Sequence, residues 1–332
     1  MQAGSDNHLK TVVVTGAMGF IGSCLATALH RTGAWRVVIS DDFNRPDKMQ
    51  NLIALQDVLK VERDMIAAWV DSQPAGTISW ILHIGARTDT TEFDHAIFDR
   101  LNRNATKALW EVCCKQQIPL IYASSAATYG SGVHGYVDNH ALIPELQPLN
   151  PYGWSKQDID MWVLKQQTHP PFWYGLKFFN VYGPNEYHKG RMASVIFHAY
   201  NQMQATGTIK LFRSHNDAYR DGYQLRDFVY VLDVVDVIQW LMHNKPASGI
   251  YNLGTGKAEP FYQLAASTAE ALNIPLQIDW IDIPEDIRDK YQYFTEADMS
   301  KLRKAGYTRA FSSLEAGVAD YVKNYLVRGN YY

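Results

Sequence analysis

The sequence predicts an α/β protein: a doubly wound parallel sheet joined to a smaller α+β C-terminal lobe. Three observations carry this prediction. Short apolar runs alternate with helix-period segments through the first half of the chain, a glycine turn divides the first run from the first helix, and the alternation loosens after Gly183. Strands this apolar are buried on both faces, as in a parallel sheet covered by helices.

Taken in order, Thr11–Thr15 reads as a strand, Gly19–Arg31 as a helix and Gly33 as its stop. Arg36–Ser40 and Ile78–Ile84 are further strands, Phe98–Gln116 a long helix, and Pro119–Ser124 a strand. Pro151–Gln167 is helical and Tyr174–Val181 returns to strand. Beyond Gly183, Met192–Gln204 reads as a helix and Ile209–Phe212 as a short strand, with Arg213 to Leu225 a polar loop. Phe228–Val231 and Gly249–Leu253 are strands around the helix Asp233–His243. Pro260–Leu272, Glu296–Lys304 and Ser313–Leu326 complete the helices.

With 332 residues, 47% of them apolar, the chain can bury a large core as one domain or two. A net charge of −3 gives no electrostatic reason for a nucleic-acid or membrane partner. The cysteines Cys24, Cys113 and Cys114 are odd in number and lack CxxC spacing, so neither a disulfide framework nor a zinc site is expected. The first ten residues are polar, without a signal-like apolar core, and no apolar run is long enough to span a bilayer. The expected location is cytoplasmic.

Val12–Val14, Thr15-Gly-Ala-Met-Gly19 and Phe20-Ile-Gly22 form a strand, a turn and a helix start. Gly16 and Gly19 let the backbone approach a pyrophosphate, Gly22 lets the helix pack on the sheet, and Phe20 and Ile21 lie at the helix N-terminus, whose free N–H groups face the phosphates. About 20 residues on, the second strand ends in Asp41–Asp42, where a carboxylate meets the adenosine ribose of a dinucleotide. Tyr152 and Lys156 stand four apart on a helix and share a face, so the ammonium is expected to lower the phenol pKa and make Tyr152 a proton carrier. Ser125 lies on a strand end, four residues before Tyr129.

These motifs, in this order, resemble the extended short-chain dehydrogenase/reductases, whose TGGxGFIG turn, SSxxxYG strand end and YxxxK helix correspond to Thr15–Gly22 (with Ala17 for the second glycine), Ser124–Gly130 and Tyr152–Lys156. Phe179–Pro184, His188–Val195, Arg226–Tyr230, Tyr251–Gly256 and Tyr291–Thr295 are similar to the ADP-heptose 6-epimerase branch, with His-Lys-Gly before Met-Ala-Ser-Val the most specific. The resemblance spans about Val12 to Tyr325 and implies a Rossmann-type domain and an isomerase acting on ADP-heptose. That enzyme oxidises C6 transiently with tightly held NADP (NAD being the alternative) and returns hydride to the other face, for lipopolysaccharide core biosynthesis. It also implies a homo-oligomer, a pentamer in many relatives.

Residue by residue, the resemblance implies Ser125, Tyr152 and Lys156 as catalytic, with Lys189 of His-Lys-Gly as a second base. For the dinucleotide it adds Asp41, Asp42, Lys48, Arg63, the Ile84-Gly85-Ala86-Arg87-Thr88 strand end, Asn102, Lys156 and Val181. For the substrate it implies Ser125, Asn180, Lys189, Arg191, His198, Phe212, Arg213, Ser214, His215, Arg226 and Tyr291. The expected division is an unstructured extension over 1–10, a dinucleotide domain over 11–180 rejoined by 228–256, and a substrate lobe from 181–227 and 257–328. Asp42 departs from the family's asparagine and opposes a 2′-phosphate, which Lys48, Arg45 or Arg63 offsets. Arg191 replaces a small serine, and the Arg213–Leu225 loop is longer than usual. The rival readings are another sugar-nucleotide epimerase, a dehydratase, against which Ala126 and Ala127 argue, and a non-catalytic dinucleotide-binding scaffold.

Overall fold

The computed structural model describes residues 9–288 and 291–332. Most of the extension expected over 1–10 therefore lies outside the described residues, and Lys10 already begins the first strand. The strands are β1 (Lys10–Thr15), β2 (Trp35–Asp41), β3 (Leu59–Glu62), β4 (Ile78–His83), β5 (Leu120–Ser125), β6 (Trp173–Phe178) and β7 (Asn180–Tyr182). They continue as β8 (Ile209–Phe212), β9 (Leu225–Tyr230), β10 (Gly249–Leu253), β11 (Ala258–Pro260), β12 (Ile278–Ile281) and β13 (Phe294–Thr295).

Seven of these form one sheet in the order β10-β6-β5-β4-β1-β2-β3, and every neighbouring pair is parallel. Val12, Val13 and Val14 of the central strand are fully buried. Their β-branched side chains face helices on both sides, which is why the run lacks polar alternation. The helices of this half are α1 (Phe20–Arg31), α2 (Ile66–Ser72), α3 (His95–Phe98), α4 (Ala105–Gln116) and α5 (Pro151–Leu164). The first of them, α1, follows β1 directly. Asn150 caps α5 by accepting from the Gly153 N–H at 2.8 Å, and Pro151 fills its first turn.

The chain leaves β1 toward β2 on one side and later returns to β4 on the other. A crevice opens at that switch point, beyond the C-terminal ends of the strands. Gly16 sits there at φ +67°, where a Cβ would lie 2.5 Å from the Gly85 Cα. A Cβ on Gly22 would lie 2.1 Å from the Gly16 carbonyl oxygen. Helix α1 thus rests on the turn with no room for a methyl group.

Several element boundaries differ from expectation for local reasons. The helix expected over Phe98–Gln116 starts at His95 and passes through a π-turn over Asp99–Asn104. The strand expected over Tyr174–Val181 breaks at Phe179, whose N–H bonds the Leu253 carbonyl, and β7 then turns away from the main sheet. β7 joins β9, which also carries β11 and β13, while β8 pairs with β12. Of the segment 228–256, only β10 lies in the main sheet. Ser194 caps the helix expected from Met192, so α6 (Val195–Thr206) begins three residues later. Asp298 accepts from the Ser300 N–H at 2.8 Å and delays the helix expected from Glu296. The C-terminal helix over Leu314–Asp320 passes into a π-turn, Tyr321–Leu326. Cys24 and Cys113 are buried and Cys114 half-buried on α1 and α4, as packing residues. No described helix is long and apolar enough to cross a membrane.

Gly22→Ala places a methyl group against backbone that cannot rotate away. Overpacking of this kind costs about 1–3 kcal/mol. A clear fall in melting temperature is expected by calorimetry, and an unchanged one would mean that the turn relaxes freely.

Candidate active site

One cleft of about 1030 Å³ runs along the crevice. Gly16, Gly19, Phe20, Ile21 and Gly22 form one wall, with Asp41, Asp42, Lys48 and Arg63 at one end. Ile84, Gly85, Ala86, Arg87 and Thr88 lie across from the glycine turn, and Val181 borders Asn180 further along. Ser125, Tyr152, Lys156, Asn180, Lys189 and Arg226 line the same space. Residues scattered over more than 200 sequence positions therefore meet because four strand ends and the start of α5 converge on the switch point.

The glycine-turn end fits a dinucleotide. No side chain caps α1, so its first N–H groups are free toward the cleft. The buried Nε atoms of Arg63 and Arg87 make no hydrogen bond among the described residues, although both side chains line the cleft and Arg63 Nε stands 3.6 Å from Asp64. Asp41 braces the turn, accepting from the Met18 N–H at 2.8 Å and from its neighbour's N–H at 2.8 Å. Asp42 lies 3.7 Å from the Arg63 guanidinium, whereas Arg45 is committed to Asp47.

Asn102, expected at the dinucleotide, does not line the cleft. It is buried behind the cleft rather than in it, accepts from the Arg87 N–H at 2.8 Å, and donates to the Arg87 carbonyl and the Ser155 hydroxyl. Its amide ties the Gly85–Thr88 loop to α5, a role that a helix position read as a dinucleotide contact does not disclose.

The residues expected to handle protons lie deeper. Lys156 is buried and donates to the Ala123 carbonyl at 2.8 Å. Burial pushes its ammonium down to about 8, against a weaker opposing pull from Asp160. Burial also raises the Tyr152 phenol, and a hydrogen bond from Ser125 works against that rise. The phenol pKa that the sequence led one to expect lowered is instead raised by burial, and Ser125 is the group that opposes the rise.

Lys189 sits in the turn Tyr187–Met192, with its ammonium 5.2 Å from the Phe20 ring centroid. Burial lowers its pKa, and the nearby carboxylate of Glu186 opposes the fall. His188 lines the cleft beside it, and burial depresses its pKa to about 4, which leaves the imidazole neutral.

The expected substrate residues divide. Arg226 lies between the Phe261 and Tyr291 rings, 5.7 and 5.5 Å from their centroids, and donates to the Leu225 and Gln292 carbonyls. Tyr291 and Phe212 pack edge to face at 5.9 Å, next to Arg226 but outside the cleft wall. Arg213 and His215 approach Asp282 at 3.7 and 3.8 Å, and Ser214 bonds Asp221 and Asn216 within its own loop. His198 on α6 is not in the cleft wall. Arg191 is exposed and reaches Asp89 on the rim at 3.4 Å. Phe261, Gln292 and Thr295 line the cleft unforeseen. They arrive from β13, the loop before it and the helix after β11, whose placement no local pattern announces.

A glycine-turn cleft holding Ser125, Tyr152 and Lys156 at the end of a parallel sheet defines a nicotinamide-dinucleotide enzyme of the short-chain dehydrogenase/reductase type. The model of the NAD dependent epimerase/dehydratase family matches residues 12–254, and the chain belongs to that family. It is 45% identical to an ADP-L-glycero-D-manno-heptose-6-epimerase of Fusobacterium nucleatum, over 97% of this chain and 99% of that one. A namesake from Nitratidesulfovibrio vulgaris is 43% identical over 95% and 97%. Among solved structures, the Helicobacter pylori ADP-L-glycero-D-manno-heptose-6-epimerase superposes with a TM-score of 0.80 at 27% identity, covering 98% of this chain and 99% of that chain. MoeE5 in complex with UDP-glucuronic acid and NAD matches at 0.73 and 25%, covering 97% and 100%. The chain is an isomerase of the epimerase class, and its cofactor is a nicotinamide dinucleotide.

Because Lys156 holds its proton less tightly folded than unfolded, the unfolded chain binds more protons between about pH 8 and the ordinary lysine range. Its burial penalty is full below pH 8 and is relieved as pH rises. Lys156→Met lacks this dependence. Urea denaturation at pH 7.5 to 10 (values spanning roughly that window) should show the wild type gaining stability relative to the variant, and a constant difference would remove the assignment.

Proposed function

We propose that this enzyme converts ADP-D-glycero-β-D-manno-heptose to its L-glycero epimer at C6, for lipopolysaccharide core biosynthesis, using tightly held NADP. The observation that carries the reading is the presence of two desolvated proton carriers, Tyr152 on α5 and Lys189 on a separate turn, in one cleft. The heptose itself is supported by the relatives of 45% and 43% identity, which bear that enzyme's name.

A bound nicotinamide dinucleotide supplies the acceptor and donor of hydride. Tyr152 takes the C6 hydroxyl proton of one epimer, with Ser125 hydrogen-bonded to the reacting oxygen and favouring the phenolate, and Lys156 placed to bond the nicotinamide ribose. The resulting ketone re-presents its other face, and Lys189 exchanges the proton for the second epimer. Arg226 stands at the substrate end as a cation for the diphosphate. Asn180 contacts the sugar beside it. The segments 181–227 and 257–328 serve as the substrate side and 11–180 as the dinucleotide side. NADP is favoured by Arg63 and Lys48 at the Asp41–Asp42 end. A cytoplasmic location and a homo-oligomer, pentameric in many relatives, follow from the family resemblance alone.

Purified protein should carry its dinucleotide and need no added oxidant, since the reaction is redox-neutral. Denaturation and chromatography should release NADP. Release of NAD alone, with no replacement by NADP, removes that part of the reading.

The function is tested by incubation with ADP-D-glycero-β-D-manno-heptose and separation of the C6 epimers. Tyr152→Phe and Lys189→Met should each stay folded and lose about 10²–10⁴-fold in epimerisation rate. With a C6 aldehyde analogue, whose molecules disproportionate to alcohol and acid, each single variant should keep part of that activity and the double variant almost none. Wild-type epimerisation by Lys189→Met would favour a one-base epimerase of another sugar nucleotide.

A further inference from the structure

Behind the cleft lies a buried ion pair that the chemistry above does not use. Asp160 on α5 and Lys177 on β6 meet at 2.7 Å with both side chains fully buried. The carboxylate also accepts from the Tyr122 hydroxyl at 3.0 Å and the Ser124 hydroxyl at 2.7 Å. The ammonium donates to the Thr128 hydroxyl at 2.5 Å, and that hydroxyl donates to the Ser125 carbonyl at 2.8 Å. Every partner is thus on the strand end or turn that carries Ser125.

Fold stability is a weak reason to keep such a pair, because apolar replacements are commonly as stable or more so. Its location supplies a better one. Tyr152, Lys156 and Asp160 stand at four-residue intervals on α5 and so form one stripe of the helix. The carboxylate therefore sits one turn below the Lys156 ammonium, with Lys177 closing it from the sheet side.

We propose that Asp160 and Lys177 are positioning residues for the acid–base group: they grip Ser125 from both sides and hold a balanced pair of charges behind Lys156. This rests on the assignment of Tyr152 and Lys156 as the proton-handling residues. Asp160 on α5 acts on Lys156, and His83 on β4 lies near it; Tyr152 shares its stripe of α5, and Tyr122 on β5 and Lys177 on β6 reach Lys156 through Asp160. His83 is held neutral, between the Thr15 and Thr106 hydroxyls at 2.7 and 3.0 Å, with burial pushing it down to about 3. Tyr122 is buried and donates to Asp160, so it is a neutral phenol. The remaining fixed charges are Asp160 and Lys177, and removing either leaves the other unbalanced.

The two single variants must then act in opposite directions. Lys177→Met leaves a bare carboxylate that holds the Lys156 proton more tightly, while Asp160→Asn leaves a bare ammonium that repels it. The readout is the Lys156 ε-carbon resonance in ¹³C-lysine-labelled, dinucleotide-loaded protein, identified by its loss in Lys156→Met. Relative to wild type, its titration midpoint should rise by about one pH unit in Lys177→Met and fall by about one unit in Asp160→Asn. Lys177→Arg should leave it near the wild-type value. Midpoints that stay fixed, or that move in the same direction, overturn the proposal and leave the pair as packing. Should the single variants not fold, Ser124→Ala decides, since it removes one grip and no charge. Turnover should then fall about tenfold with dinucleotide content unchanged, and unchanged turnover overturns the positioning role. The resonance needs no substrate, so a wild type inert toward ADP-heptose refutes the proposed function while leaving this result readable.

Discussion

Backbone lies directly on backbone where the glycine turn crosses the end of β4, and the placement of every group in the cleft depends on that contact. Gly16 and Gly85 touch without side chains, and Gly22 rests on the carbonyl of Gly16. If either spacing opened, α1 would lift from the sheet and carry its N-terminus away from the crevice. Asp41 secures the same turn from β2 through the Met18 N–H, and Asn51 secures it from the other side by donating to the Met18 carbonyl at 2.9 Å. The Asn51 amide also reaches the Asn185 carbonyl at 3.1 Å. The loop that bears Lys189 is therefore registered on the turn that receives the dinucleotide.

Desolvation is the common electrostatic theme of the site. Lys156 and Lys189 are both buried enough to weaken their hold on a proton, yet each keeps a carboxylate nearby that limits the fall, Asp160 for one and Glu186 for the other. The Glu186 carboxylate is itself buried and satisfied by the N–H and hydroxyl of Ser194, both at 2.6 Å. Two lysines of similar chemistry thus reach the cleft from opposite supports, one from a rigid helix in the main sheet layer and one from a turn beside the second sheet. In the proposed two-base reaction, such a division of supports would let the two bases address different faces of the substrate.

Periodic and strand-flanked features were legible in the sequence. The apolar runs disclosed β1, β2, β4, β5 and β10, and the glycine turn, Ser125 and the Tyr152–Lys156 pair all came to the cleft as expected. The edge strand β3 was missed because only Val61 of its four residues is buried, so it lacks an apolar run. The strands β11, β12 and β13 are two to four residues long, too short for any period, and their partners lie far away in sequence. Burial effects were the least legible. A four-residue spacing places Lys156 beside Tyr152, but it does not reveal that the ammonium is dehydrated and bonded to the Ala123 carbonyl. Likewise the helix position of Asn102 does not reveal that Arg87 and Ser155 converge on its amide, because only the fold brings them together.

The seventh strand of the main sheet is contributed by residues 249–253, long after its neighbour β6 at residues 173–178. During synthesis, the ribosome releases β6 with one side unpaired, in a strand whose first five residues are buried in the finished protein. An apolar strand with open hydrogen-bonding groups is a template for pairing with other chains. Until some 70 further residues have emerged, at roughly 5–20 per second, that edge is exposed to neighbouring nascent chains and to chaperones. The interleaved chain path therefore sets a vulnerable interval of several seconds in the biogenesis of the enzyme, and it makes premature termination between residues 178 and 249 a source of aggregation rather than of a smaller folded domain.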